Sequence, residues 1–152
     1  MNIVLNRIDE RLIHGQVLAS WAKRLQVREI LVIDDQLAHD PFAETVLTMA
    51  LPSNINLKIF DVVKGSAYIQ KEMDQTPPNT ILLAKSPEVI KQLWDYVNIG
   101  GMSAGPSRRH LCRGLYAADN EISIFQELED NGTKVYVQVV YGENKIHFRD
   151  LV

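Results

Sequence analysis

Ile3-Val4-Leu5-Asn6-Arg7-Ile8-Asp9-Glu10-Arg11-Leu12-Ile13-His14-Gly15-Gln16-Val17 decides how this chain folds. The stretch opens on a short apolar run, Ile3–Leu5, and passes through a charged segment. It then enters a region where Val17, Leu18, Trp21, Ala22 and Leu25 recur at helical spacing. A second apolar run, Ile30–Ile33, follows at once. Strand, loop, helix and strand in that order form the unit from which parallel sheets are built.

The same alternation continues outward. Leu57–Phe60, Ile81–Ala84 and Val135–Val140 read as further strands, with a sixth in Tyr96–Ile99 and a seventh around Leu111–Ala117. Ile146–Phe148 is short enough for an edge strand. These runs are continuous in Ile, Leu and Val rather than alternating with polar residues, as strands buried on both faces require. Pro41 starts a helix over Phe42–Ala50 with Asp40 as its cap, and Val62–Met73 carries Val63, Ala67, Ile69 and Met73 at helical spacing. Ser86-Pro87-Glu88 opens a helix through Tyr96, with the serine as N-cap. Asp119–Asn131 places Ile122, Phe125 and Leu128 on one face and ends at Asn131-Gly132. The pattern predicts one α/β domain over residues 1–152. It has three layers, α/β/α, around a mainly parallel central sheet of six or seven strands. Gly100–Arg109 is a loop rich in Gly, Ser and Pro, too short for a domain linker.

Composition narrows the function classes. The 152 residues are 46% apolar and 23% charged, enough for one real core. A net charge of −3 gives no global basic field for nucleic acid or an anionic membrane. Cys112 is the single cysteine, so no disulfide closes within the chain and a reducing compartment suits it. Met1–Arg7 lacks the apolar core of a signal peptide, and no apolar run reaches the roughly 20 residues of a bilayer span. These features predict a cytoplasmic protein.

The chemistry concentrates in the first loop. In open α/β sheets ligands bind beyond the carboxyl ends of the strands, which is where Asp9–Gly15 falls. His14 stands at the start of a helix, where unpaired amides and the helix dipole attract anions. Imidazole is also a nucleophile near neutral pH. The amides of Gly15, Gln16 and Val17 are placed to hold phosphate oxygens, and Gly15 lets the backbone approach closely. Arg11, three residues before His14, can grip a phosphate through two hydrogen bonds, and Arg7 offers a second positive charge. Asp9 is placed either to orient Arg11 or to hold one imidazole nitrogen and fix the tautomer. The bland alternatives are a histidine cap, a surface ion pair at Arg11 and a solvated Asp9-Glu10 turn.

Other polar groups carry less. Asp34-Asp35 follows the second strand and is placed to reach His14 or Arg11, or simply to form a turn and cap. Ser86 reads first as an N-cap. His39 reads as surface, and Cys112 as packed core. No His/Cys spacing suggests zinc, and Gly100-Gly101 with Gly105 makes neither a dinucleotide fingerprint nor a P-loop. A receiver domain phosphorylated on aspartate is the main rival, from Asp9, Glu10, Asp61 and Lys85. It needs magnesium at its acid pair, where Arg7 and Arg11 would repel the metal. A ligand-binding module of similar shape, with no covalent step, is the second rival.

The run Arg-Ile-Asp-Glu-Arg-Leu-Ile-His-Gly-Gln-Val at 7–17 resembles the phosphorylation-site motif of IIB components of the bacterial sugar phosphotransferase system, mannose/fructose/sorbose family. Leu31-Val32-Ile33-Asp34-Asp35 and Val97-Asn98-Ile99-Gly100-Gly101-Met102 extend the resemblance, which covers the whole chain. It implies a cytoplasmic phosphocarrier, peripherally associated with membrane components, that needs neither metal nor cofactor. The phosphoryl group would come from a IIA component to Nδ1 of His14 and pass to a sugar delivered by IIC and IID. Arg11 and Asp9 match flanking positions that hold the active loop. The resemblance leaves open whether the chain forms a homo-oligomer. Ser103–Arg109 departs from the family pattern in its Arg and Pro content, so Arg108 and Arg109 face either a sugar phosphate, an acidic partner or only solvent.

Overall fold

The computed structural model describes residues 1–90 and 95–152. β1 (Asn2–Asp9) leads through a five-residue loop, Glu10–His14, into α1 (Gly15–Arg24), and β2 (Glu29–Ile33) follows. Next come α2 (Ala43–Thr48), β3 (Asn56–Phe60), α3 (Val62–Glu72), β4 (Asn79–Ala84) and β5 (Tyr96–Gly101). A hairpin of β6 (Arg109–Cys112) and β7 (Leu115–Ala117) precedes α4 (Asp119–Asp130), β8 (Lys134–Val137) and β9 (Ile146–His147).

Seven strands form one sheet in the order β3-β2-β4-β1-β5-β8-β9, all pairs parallel except β8 with the edge strand β9. This is the three-layer α/β architecture that the continuous apolar runs predict. Because side chains alternate along a strand, β4 shows how the faces divide. Ile81 and Leu83 pack with Leu18 and Trp21 of α1 on one face. Leu82 packs with Ile69 of α3, and Ala84 with Phe125 of α4, on the other. The chain leaves β1 toward β2 on one side and, after β4, crosses to β5 on the other. The carboxyl ends of β1 and β5 therefore border a topological switch point, the usual ligand crevice of such sheets.

Several boundaries differ from expectation for physical reasons. Leu111–Ala117 is two antiparallel strands, because Gly114 at φ +82° turns the chain back. Asp40 accepts from the Phe42 amide at 2.9 Å in the turn before α2 rather than capping it; the N-cap is Phe42, without a side-chain cap, and α2 stops at Thr48. Val135–Val140 is a strand only to Val137. The helix expected from Ser86 through Tyr96 begins as a 3-10 turn over Pro87–Ile90, its stretch 91–94 lies outside the described residues, and Tyr96 already belongs to β5. Tyr96 is fixed there by its hydroxyl, which donates to the Val4 carbonyl at 2.7 Å. In α3 the buried residues are Gly65 and Ile69, while Val63 is 80% exposed. Gly65 lets α3 lie close on the sheet: a Cβ there would fall 2.2 Å from Ile33 Cδ1, which would have to shift. Among the described residues no helix is long and apolar enough to cross a membrane.

Candidate functional site at the start of α1

The end of β1 delivers Arg7 and Asp9 to the same face of the strand, two residues apart. Asp9 is fully buried and accepts from Arg7 Nη2 at 3.0 Å, from the Arg11 amide at 3.1 Å, and from Arg11 Nε and Nη2 at 3.0 and 3.1 Å. One carboxylate thus joins two guanidiniums, and one positive charge is left uncompensated. Arg11 presents it, since its side chain is 47% exposed while Arg7 is 2% exposed.

The loop itself is tightly turned. Leu12 adopts φ +51°, rare for a side chain of its size, and its amide donates to the Asp9 carbonyl at 2.9 Å. His14 then takes an extended conformation as the N-cap of α1, and no side chain caps the helix. The first amides of α1, which include Gly15, Gln16 and Val17, have no intrahelical acceptors, and free amides at a helix start favour anions. Gly15 sits at φ +33° with open space where a Cβ would be.

His14 is held on both sides. Nδ1 lies 3.0 Å from the Leu12 carbonyl, and Nε2 lies 4.0 Å from Asp9 Oδ2 with no hydrogen-bond partner. A carbonyl only accepts, so Nδ1 donates to it in this arrangement. The Nδ1 nucleophile that the family resemblance implies therefore needs the ring to leave Leu12.

Arg7 corrects one expectation. Its guanidinium donates to Asn98 Oδ1 at 2.7 Å, to the Gln138 and Val139 carbonyls at 3.1 and 2.8 Å, and to Asp9. Burial pushes its pKa below the ordinary arginine range, partly opposed by Asp9. Arg7 is a buried strut beneath the loop rather than a phosphate ligand. Gly100 and Gly101 make room for this arrangement: a Cβ at 100 would fall 2.0 Å from Arg7 Cζ, and one at 101 would fall 2.9 Å from Arg11 Nη2.

Arg108 also departs from expectation. It donates from Nε and Nη2 to Glu121 at 3.0 and 2.6 Å, and from Nη1 to Glu10 and to the Ser103 carbonyl. Glu10 accepts from the Ser103 amide and hydroxyl at 2.9 and 2.7 Å. Arg108 is thus strapped to the end of β1, while Arg109, the first residue of β6, is exposed. Asn98, Gln138, Glu10 and Glu121 were missed as site residues. Asn98 was findable, being a lone amide inside an apolar strand, but the carboxylate partners of Arg108 lie far apart in sequence.

The remaining candidates serve the scaffold. Asp34 accepts from the Leu37 amide at 2.8 Å and pairs with Lys85 at 3.3 Å, and Asp35 accepts from the Val62 amide at 2.9 Å. Asp61 caps α3 through the Lys64 amide at 2.8 Å. The carboxylates a receiver domain would turn toward magnesium are therefore engaged by arginines or by backbone.

Fold and loop together define an α/β domain with an anion-attracting loop at the switch point of its sheet. The family model described as "PTS system sorbose subfamily IIB component" matches residues 3–152, and the chain belongs to that family. It is 32% identical over 142 residues to the fructose-specific EIIB component of Bacillus subtilis strain 168, covering 89% of this chain and 86% of that protein. It is 29% identical to the mannose-specific EIIAB component of Escherichia coli K12, covering 100% of this chain but 49% of that longer protein. The crystal structure of the IIBSor domain of the sorbose permease from Klebsiella pneumoniae superposes with a TM-score of 0.88. The two share 28% identity, over 99% of this chain and 95% of that one. Membership implies a role in sugar phosphotransfer, with IIA and IIC/IID components as partners and a sugar as substrate.

Proposed function

We propose that this protein is a cytoplasmic phosphocarrier that accepts a phosphoryl group on His14 from a phosphohistidine of a IIA component. It then donates the group to a sugar brought in by IIC and IID. In the first step a bond forms between phosphorus and a His14 nitrogen as the donor's N–P bond breaks. In the second the His14 N–P bond breaks, the sugar oxygen takes the phosphoryl group, and the hydroxyl proton is released. Arg11 stabilises the charge on the group in flight, Asp9 fixes Arg11, and the Gly15–Val17 amides receive the oxygens. The observation that carries this reading is the Arg7–Asp9–Arg11 ladder, which sets one uncompensated guanidinium beside a histidine at an uncapped helix start.

The test is incubation with a phosphorylated IIA partner, followed by mapping of the labelled residue. One acid-labile, alkali-stable phosphoryl group on His14 is expected, and 31P and 15N spectra report which ring nitrogen bears it. His14→Ala should take no label while unfolding at the wild-type temperature. Label persisting in that variant sinks the assignment.

A further inference from the structure

Arg7 Nη1 meets Asn98 Oδ1 at 2.7 Å and the Gln138 carbonyl at 3.1 Å, and Nη2 meets Asp9 Oδ2 at 3.0 Å and the Val139 carbonyl at 2.8 Å. That is as many acceptors as the Nη N–H groups can serve. The two carbonyls lie past the end of β8 in a stretch outside any strand. Asn98 instead sits within β5, in register with Arg7 on β1, and makes the shortest of these bonds. Its Nδ2 also donates to the Gln138 carbonyl at 3.4 Å. Asn98 is thus the acceptor by which the sheet itself orients the guanidinium, which Trp21 flanks with its ring centroid 5.4 Å from Cζ. Asp9 passes that orientation on. Its Oδ2 is shared by Arg7 Nη2 and Arg11 Nη2, and its Oδ1 takes the Arg11 amide and Nε. Rotation of the Arg7 guanidinium therefore draws Asp9 away from Arg11.

The residue type at 98 matters as much as its place. Asn98 is 3% exposed between Val97 and Ile99, both fully buried, where an amide costs stability unless its bonds are made. An apolar side chain there would leave a buried Arg7 N–H without its acceptor. A carboxylate would accept, but it would cancel the single positive charge to which Arg7, Asp9 and Arg11 sum. An amide accepts and carries no charge. We propose that Asn98 is a positioning residue for phosphoryl transfer. It aims Arg7 at Asp9 and, through Asp9, holds Arg11 at the His14 loop, without cancelling the charge that Arg11 presents. The proposal rests on the phosphocarrier reading of His14 and adds to it a residue that touches neither the phosphoryl group nor a partner.

Rapid-quench phosphorylation by phospho-IIA, with wild type, Asn98→Asp and Asn98→Leu compared, tests it. Asn98→Asp keeps an acceptor toward Arg7 and adds the charge. It should slow the transfer step about tenfold, the order expected of one unit charge in a partly screened cluster, with KM for phospho-IIA unchanged. Asn98→Leu keeps the volume and removes the acceptor, and should also slow transfer about tenfold. In an Arg11→Ala background, Asn98→Leu should cost no further rate, because no guanidinium is left to aim. A residue that only holds the sheet together would impose the same penalty with or without Arg11. The Arg11 Nε–H, 3.0 Å from Asp9 Oδ1, supplies a readout independent of activity: its exchange with water should be faster in Asn98→Leu than in wild type. A wild-type transfer rate in Asn98→Asp overturns the proposal, as does an Asn98→Leu penalty that persists without Arg11, or Arg11 Nε–H exchange that Asn98→Leu leaves unchanged. If Asn98→Leu does not fold, the Asn98→Asp rate decides alone. Absence of label on His14 in the wild-type chain overturns the phosphocarrier reading instead, and the Arg11 exchange then still reports whether Asn98 sets the clamp.

Discussion

Asp9 accepts four hydrogen bonds from two arginines with none of its surface exposed, which makes it the residue on which the loop depends. Its partners differ in what they lose without it. Arg7 is buried, so Asp9→Asn leaves a guanidinium without its counter-charge and should cost about 3–5 kcal/mol in urea unfolding. Arg11 is half-exposed, so Arg11→Ala should cost no more than about 1 kcal/mol of stability. The same variant should slow phosphoryl transfer from phospho-IIA by about 10²–10³, as loss of a charge-stabilising donor does. A rapid-quench rate near wild type for Arg11→Ala would remove Arg11 from the chemistry. Gly100→Ala should destabilise by about 1–3 kcal/mol, because its Cβ would fall inside the Arg7 guanidinium. At this scale His14, Arg11 and Asp9 were legible as neighbours in one loop. That Arg7 lies underneath was hidden, because strand parity gives the face a residue takes but not whether a loop roofs it.

The strap between the Ser103–Arg108 loop and the end of β1 is an interaction between elements, and it titrates. Burial pushes the Glu10 carboxyl up, but the hydrogen bonds from Ser103 and Arg108 outweigh it, and the pKa falls below the ordinary 4.5. A carboxyl depressed on folding contributes stability that is present above its unfolded pKa and lost as pH falls through its folded one. The Ser103 amide should therefore keep its docked chemical shift from pH 7 to about 5 and move toward an undocked value as acid is added below 4.5. Glu10→Gln should remove that titration, and an acid shift that survives in Glu10→Gln would assign it to another group. Elements were legible where burial dictated the residue type, as in β2 and β4, whose apolar runs face helices on both sides. They were not legible where one glycine reverses the chain, as at Gly114; at Tyr96 the sequence offered both a helix end and a strand start, and the strand prevails.

The whole molecule presents His14 at a single edge, the carboxyl ends of β1 and β5, with α1 rising from it. In the proposed cycle both the phosphoryl donor and the acceptor must bring a reacting atom to the same ring nitrogen. An in-line displacement leaves room for only one of them, since attacking and leaving atoms lie on opposite sides of phosphorus. IIA and the IIC/IID assembly should therefore compete for this protein. Adding IIC/IID in detergent should displace labelled IIA, and the apparent Kd for IIA should rise linearly with the concentration of the second partner. Steady-state sugar phosphorylation should follow the parallel-line pattern of a covalent shuttle, because the two half-reactions meet only through phosphorylated His14. Substitutions on the opposite edge, such as Arg28→Ala or Asn54→Ala beside Pro78 and Asn79, should leave both affinities unchanged. Formation of a stable ternary complex, with neither partner weakening the other, would require two separate approaches to His14. Leu12 and Asp9 flank the two nitrogen edges of the imidazole, whose side chain is only 24% exposed.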